Sequence, residues 1–172
     1  MILVRPAALA VLCSLVSFPA LSQEAESTTV TVRDTYGQLV TTLTLSDAGN
    51  GIVITGTLDG VDPGLHGFHL HEVGVCEPPF ETAGGHFNPT GKKHGILNPD
   101  GHHLGDLPNI FMPKEGEGAI QIFATGVTLK AGEEGSLRDG DGTAIVIHSG
   151  PDDYKTDPSG DSGGRIACGV LR

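Results

Sequence analysis

Histidine is the residue most able to do chemistry in this chain, and the placement of its eight copies is uneven. His69 and His71 lie two apart in a segment of strand character. A strand would project both imidazoles from one face, with about 7 Å between their Cα atoms, so that two rings could converge on one ion. Alone, such a pair is more often an incidental polar face. His86, His94, His103 and Asp106 then follow through GGHFNP, KKHG and HHLGD. Three imidazoles and a carboxylate suit tetrahedral zinc in a closed, structural site. The competing reading, a solvated polar loop, must explain how so long a segment is ordered without a metal or a disulfide. His148 ends the apolar segment TAIVIH, where it would complete an all-imidazole set with His69, His71 and one loop histidine. Four nitrogens in a flattened arrangement suit Cu(II), and copper also cycles to Cu(I), whereas zinc has no redox chemistry.

These residues need a scaffold, and the composition points to short strands and turns. The chain has 172 residues, no Trp, 5% aromatics and 26 glycines, which favours β structure joined by turns over packed helices. Period-2 alternation marks Thr29 to Val32 and Leu39 to Leu45 as strands, followed by Ile52 to Leu58 and Leu65 to Glu72 after turns at 47–51 and 62–64. Strand signals return at Leu104 to Ile110, Ala119 to Ala124, Thr143 to Ser149 and Arg165 to Leu171. Two long stretches, 73–102 and 150–164, lack periodicity, and loops of that length in a compact domain are usually functional. The expectation is an all-β fold of about eight antiparallel strands, without a repeat or a convincing helix.

Charge and cysteines narrow the setting. Twenty-one acids against ten bases give a formal charge of −11, which argues against nucleic acid or an anionic membrane surface as partner. Residues 1–22 resemble an export signal: Arg5 supplies the basic end, Ala7 to Val16 is almost wholly apolar, and Ala20-Leu21-Ser22 offers small residues for cleavage. Processing after Ser22 would leave residues 23–172 and, without Arg5, a charge of −12. It would also remove Cys13, leaving Cys76 and Cys168 as an even pair. In an oxidising compartment such a pair forms a disulfide, the alternative being two free buried thiols. Chain-entropy arguments give about 4–5 kcal/mol as the ceiling for closing so long a loop.

The runs GLHGFHLHE (64–72), AGGHFNP (83–89), HHLGDLPN (102–109) and GGRIACGVL (163–171) resemble the copper–zinc superoxide dismutases of the bacterial periplasmic type. The match is spread over nearly all of 23–172. The resemblance implies an eight-stranded Greek-key sandwich or flattened barrel with two long functional loops. It implies that His69, His71, His86 and His148 hold copper, and that His86, His94, His103 and Asp106 hold zinc, with His86 bridging the ions. Asp152 corresponds to a carboxylate that links a copper-ligand histidine to a zinc-ligand histidine, and Arg165 to the arginine beside copper. Cys76–Cys168 corresponds to the family disulfide. His66 corresponds to a residue that supports the site by hydrogen bonding, and His102 falls outside the ligand register.

The implied activity is dismutation of superoxide to oxygen and hydrogen peroxide, with His86 and Arg165 as catalytic residues, in the bacterial periplasm. Lys92, Lys93 or Lys155 would add positive charge for steering the anion. A non-catalytic copper or zinc carrier would share the ligands but has no use for Arg165. A disulfide-stapled sandwich that binds another protein leaves seven spaced ligand candidates unexplained. Monomers and homodimers are both compatible with these motifs.

Overall fold

A computed structural model describes residues 25–172, so the expected signal segment lies outside the described residues. Nine strands form: β1 (Ser27–Asp34), β2 (Leu39–Asp47), β3 (Gly51–Leu58), β4 (Gly64–His66), β5 (Phe68–His71), β6 (Ile110–Met112), β7 (Gly118–Thr125), β8 (Thr143–His148) and β9 (Arg165–Leu171). The helical structure among the described residues is one 3-10 turn at Glu81–Ala83. Seven strands make one curled antiparallel sheet in the order β5-β8-β9-β1-β2-β3-β7, and β4 pairs with β6. Neighbours distant in sequence, such as β5 with β8 and β9 with β1, are the crossovers of the expected all-β architecture.

Alternation builds the core. Val30 and Val32 of β1 point inward while Thr29 and Thr31 face out, and Leu43, Leu45, Ile52 and Ile54 continue the same interior. Strand β5 uses both faces. Phe68 and Leu70 enter the core, where each contributes roughly 1.5–3 kcal/mol of burial. His69 and His71 therefore project from the opposite face on an anchored support. Strand β8 is buried throughout. Ile145 and Ile147 join the main core, while Ala144 and Val146 pack with Phe80, Ala83 and Cys168 under the disulfide loop.

Two expectations are corrected. Leu65 to Glu72 is not one strand: the chain changes partners at Gly67, where the backbone bonds Gly150 O and receives His148 N. A Cβ on Gly67 would stand 2.8 Å from Ser162 Cβ, so the close approach requires glycine. Leu104 to Ile110 is not a strand either, except at Ile110. Gly105 instead plugs between strands, donating to Phe87 O at 2.9 Å and accepting from Leu70 N at 3.0 Å. These cross-bonds satisfy the backbone without a ladder and aim Asp106 at the histidines.

Candidate metal centre

Two ligand sets form among the described residues, His69, His71, His86 and His148 in one and His86, His94, His103 and Asp106 in the other. All are buried, and within each set one donor atom per residue lies within 4.8 Å of the rest. The first set comes from strands β5 and β8 plus His86, which bridges to His71 beside β5. The second set comes from the long loop between β5 and β6.

Hydrogen bonds at the far side of each ring fix which nitrogen is free. His69 Nε2 donates to Asp152 Oδ2 at 2.7 Å, His71 Nδ1 to Gly84 O at 3.1 Å and His148 Nδ1 to Gly163 O at 3.2 Å. That leaves His69 Nδ1, His71 Nε2 and His148 Nε2 as lone-pair donors, and these atoms are buried without a protein partner. His86 Nε2 is the fourth such atom, while His86 Nδ1 faces Asp106 Oδ1 at 2.7 Å. One imidazole thus addresses both sets.

The second set is oversubscribed as a hydrogen-bond cluster. Asp106 Oδ1 faces Nδ1 of His86, His94 and His103 at 2.7, 3.0 and 3.1 Å. One carboxylate oxygen has two lone pairs for three donors, whereas four lone-pair donors around one cation need no such crowding. Asp106 Oδ2 is meanwhile held by Gly95 N at 2.8 Å and His103 N at 3.0 Å. The donor chemistry therefore fits copper in the first set and zinc in the second.

Electrostatics separate the sets. Burial keeps His71 well below the ordinary histidine range. It also lowers His86 to about 4 and His148 to about 3, with neighbouring imidazoles adding repulsion. Burial opposes charge on Asp106, but bonds from His103, His86 and His94 outweigh it and hold the carboxyl far below its usual range. His94 goes the other way. Burial disfavours its cation, yet Asp106 and Asp152 together raise it to about 9.

Asp152 ties the sets together, its Oδ2 meeting His69 and its Oδ1 meeting His94 Nε2 at 3.1 Å. Gly160 makes room for that link: at φ +66°, a Cβ there would collide with Asp152 Oδ1 and stand 2.8 Å from His94 Nε2. Arg165 donates to Phe80 O and Gly84 O, both at 2.7 Å, and so lies beside His71. The Cys76–Cys168 disulfide joins this loop to β9, across 92 residues.

The comparisons decide the family. The copper/zinc superoxide dismutase family model matches residues 36–171. The chain belongs to the copper/zinc superoxide dismutase family. Copper–zinc superoxide dismutase 2 of Aquifex aeolicus (strain VF5) is 50% identical over 141 residues, covering 81% of this chain and 82% of that relative. A copper–zinc superoxide dismutase of Caulobacter vibrioides is 42% identical over 149 residues, covering 85% and 86%. Among solved structures, a superoxide-dismutase-like protein from Bacillus subtilis superposes with a TM-score of 0.80 at 41% identity, covering 84% of this chain and 97% of that one. The enzyme from Brucella abortus gives a TM-score of 0.68 at 30% identity, covering 86% and 100%.

Within this family framework, the sequence-expected residues come together: both ligand sets, Asp152 and Arg165 surround one centre. His66 supports it from outside, with Nδ1 2.7 Å from His148 O and Nε2 2.7 Å from Asp62 O. His102 belongs to neither set. None of Lys92, Lys93 and Lys155 lines the cleft above the centre, and Lys93 is paired with Asp157 at 3.0 Å. Sequence reasoning missed Asn109, whose amide exchanges two 2.8 Å bonds with the Asp152 backbone and clamps the second loop to the first. It also missed Asp157, which caps His94 N at 2.8 Å. Asn109 sits in the HHLGDLPN run, which was the available signal.

Proposed function

We propose that this chain dismutates superoxide at a copper site formed by His69, His71, His86 and His148, with zinc held by His86, His94, His103 and Asp106. The observation that carries the reading is the convergence of four buried, unpartnered imidazole nitrogens, three of them on His71, His86 and His148, which line an open cleft of about 500 Å³ together with Arg165. A closed site could hold a metal. An open one admits a reactant. Copper, when bound there, supplies a one-electron couple, and zinc a redox-inert anchor.

The chain's own groups do the rest. Arg165 carries a fixed cation, held by two backbone carbonyls, which draws a small anion towards the imidazoles. His86 keeps Nδ1 at the Asp106 group while Nε2 faces the copper set, so Nε2 is the atom placed to take up a proton and return it to product. Asp152 holds His69 and His94 in the required tautomers. Over one cycle two superoxide anions and two protons become oxygen and hydrogen peroxide. The test is pulse radiolysis with copper and zinc quantified in the same sample. Decay approaching the diffusional ceiling of about 10⁸–10⁹ M⁻¹s⁻¹, scaling with copper and lost in His148→Ala, is expected. Full copper loading with decay no faster than the uncatalysed reaction would make the chain a metal carrier.

We further propose that residues 1–22 direct export to the periplasm and are removed. The bonded Cys76–Cys168 pair and the absence of thiolates from both ligand sets support an oxidising compartment. N-terminal sequencing of the periplasmic protein should begin at Gln23, and retention of Met1 in the cytoplasm would overturn this. For assembly we propose a homodimer. Leu65 and Phe111, register partners on β4 and β6, are 49% and 58% exposed and form an apolar pair that a second copy would cover. Light scattering across a concentration series tests it, and a strictly monomeric mass refutes it.

A further inference from the structure

The cleft above the imidazoles has an unexpected charge balance for an anionic reactant. Its lining contains one cation, Arg165, and two carboxylates, Glu72 and Glu81, with no lysine. The two acids differ in freedom. Glu72 is tied down, its Oε1 accepting from Gly85 N at 2.9 Å. The Glu81 side chain is 76% exposed, and its Oε2 stands 3.9 Å from Arg165 Nη2, too far for a hydrogen bond but close enough to offset the guanidinium charge. Arg165 already spends donors on Phe80 O and Gly84 O, so its position does not depend on Glu81.

We propose that Glu81 acts as an electrostatic filter at the cleft, favouring singly charged over doubly charged anions. The inference rests on the dismutase reading for its natural substrate, but not for its physics. The interaction of Glu81 with an incoming ion scales with that ion's charge. A unit charge roughly 8–10 Å from a monoanion weakens its entry by about twofold in water at low salt. A dianion meets twice the energy, so the factor is squared to about fourfold. Arg165 attracts both classes, and Glu81 returns part of the dianion's larger advantage. Superoxide is thereby less obstructed by abundant dianions such as hydrogen phosphate.

The experiment compares the copper- and zinc-loaded protein with Glu81→Gln and Glu81→Asp, metal content matched. Azide and hydrogen phosphate serve as the monoanion and dianion probes, with binding read from the copper absorption band at about 10 mM ionic strength. Glu81→Gln should tighten azide about twofold and phosphate about fourfold, with both gains vanishing by about 0.5 M salt. Glu81→Asp, which keeps the charge, should match the parent protein. Superoxide decay in Glu81→Gln should rise about twofold at low salt. Equal gains for azide and phosphate, or none, would overturn the filter. If no protein consumes superoxide while the azide and phosphate ratios behave as expected, the dismutase reading fails and the filter stands.

Discussion

Zinc uptake by the metal-free protein should depend steeply on pH while copper uptake does not, because the two ligand sets hold protons differently. His94 faces carboxylates at both ring nitrogens, Asp106 Oδ1 at 3.0 Å and Asp152 Oδ1 at 3.1 Å. Burial works against charge there, but those carboxylates raise it to about 9. Zinc needs the lone pair on Nδ1, so below that pH it must displace a proton. At pH 7 the competition weakens zinc by about two orders of magnitude, and its apparent affinity should rise about tenfold per pH unit from 6 to 8. Three members of the copper set are already neutral in this range, since burial lowers His71, His86 to about 4 and His148 to about 3. The same logic gives the sign for the metal-free fold. The stabilisation from His94 is complete below about pH 6.5 and is lost as pH rises through about 9. The assay is calorimetric titration of one metal at a time, in two buffers of different ionisation enthalpy. More proton release per zinc than per copper at pH 7 is expected, the excess coming from His94, and Asp152→Asn should reduce the zinc-linked release. Zinc affinity that stays flat from pH 6 to 8 would refute the reasoning.

Three further outcomes follow from the geometry. Arg165→Ala should slow superoxide consumption by about tenfold or more with copper content unchanged, and Arg165→Lys should recover part of the rate because it restores the charge without the two-carbonyl fork; stopped-flow decay with metal analysis checks both. The Cys76→Ala, Cys168→Ala double variant should lose about 2–5 kcal/mol in urea unfolding, with the 92-residue loop no longer closed. Gly105→Ala should cost about 2 kcal/mol or more and lower zinc content, because the added Cβ would collide with Leu70 O and stand 2.8 Å from Phe87 N; thermal unfolding and zinc analysis read the two effects.

Much of this was legible in the chain, and the exceptions have physical reasons. Strands β1, β2 and β7 alternate because each has one face in the core, whereas β8 is buried throughout and is marked by its continuous apolar run. The segment after His103 misled. Leu104, Leu107 and Ile110 are apolar because they pack against the interior, but Gly105 forces the backbone across the strands rather than along them. Residue types picked out the zinc set and, with one loop histidine left open, the copper set, and the family resemblance placed His86 in both, whereas the choice of nitrogen did not follow from sequence. That choice depends on Gly84 O and Gly163 O, carbonyls whose positions arise only from the folded loops. The lysines show the limit of composition: three bases near the right loops do not line the cleft, and Glu72 and Glu81 do.

The centre divides its labour between stiff and soft parts of the fold. Three of the four copper-set imidazoles stand on β5 and β8, whose apolar residues are buried in the two apolar clusters. The zinc set is drawn from a loop that lacks a regular ladder, so its order must come from the ligands and from clamps such as Asn109 and Asp157. His86 is the member common to both, and Asp152 provides a second connection. Removing zinc should therefore loosen the loop first and reach the copper set only through His86 and Asp152, because His71 and His148 keep their own anchors. Hydrogen exchange on the copper-only protein should quicken across 88–105 while the amides of β5 and β8 stay protected. Equal loss of protection in those strands would mean that the sheet, too, takes its rigidity from zinc.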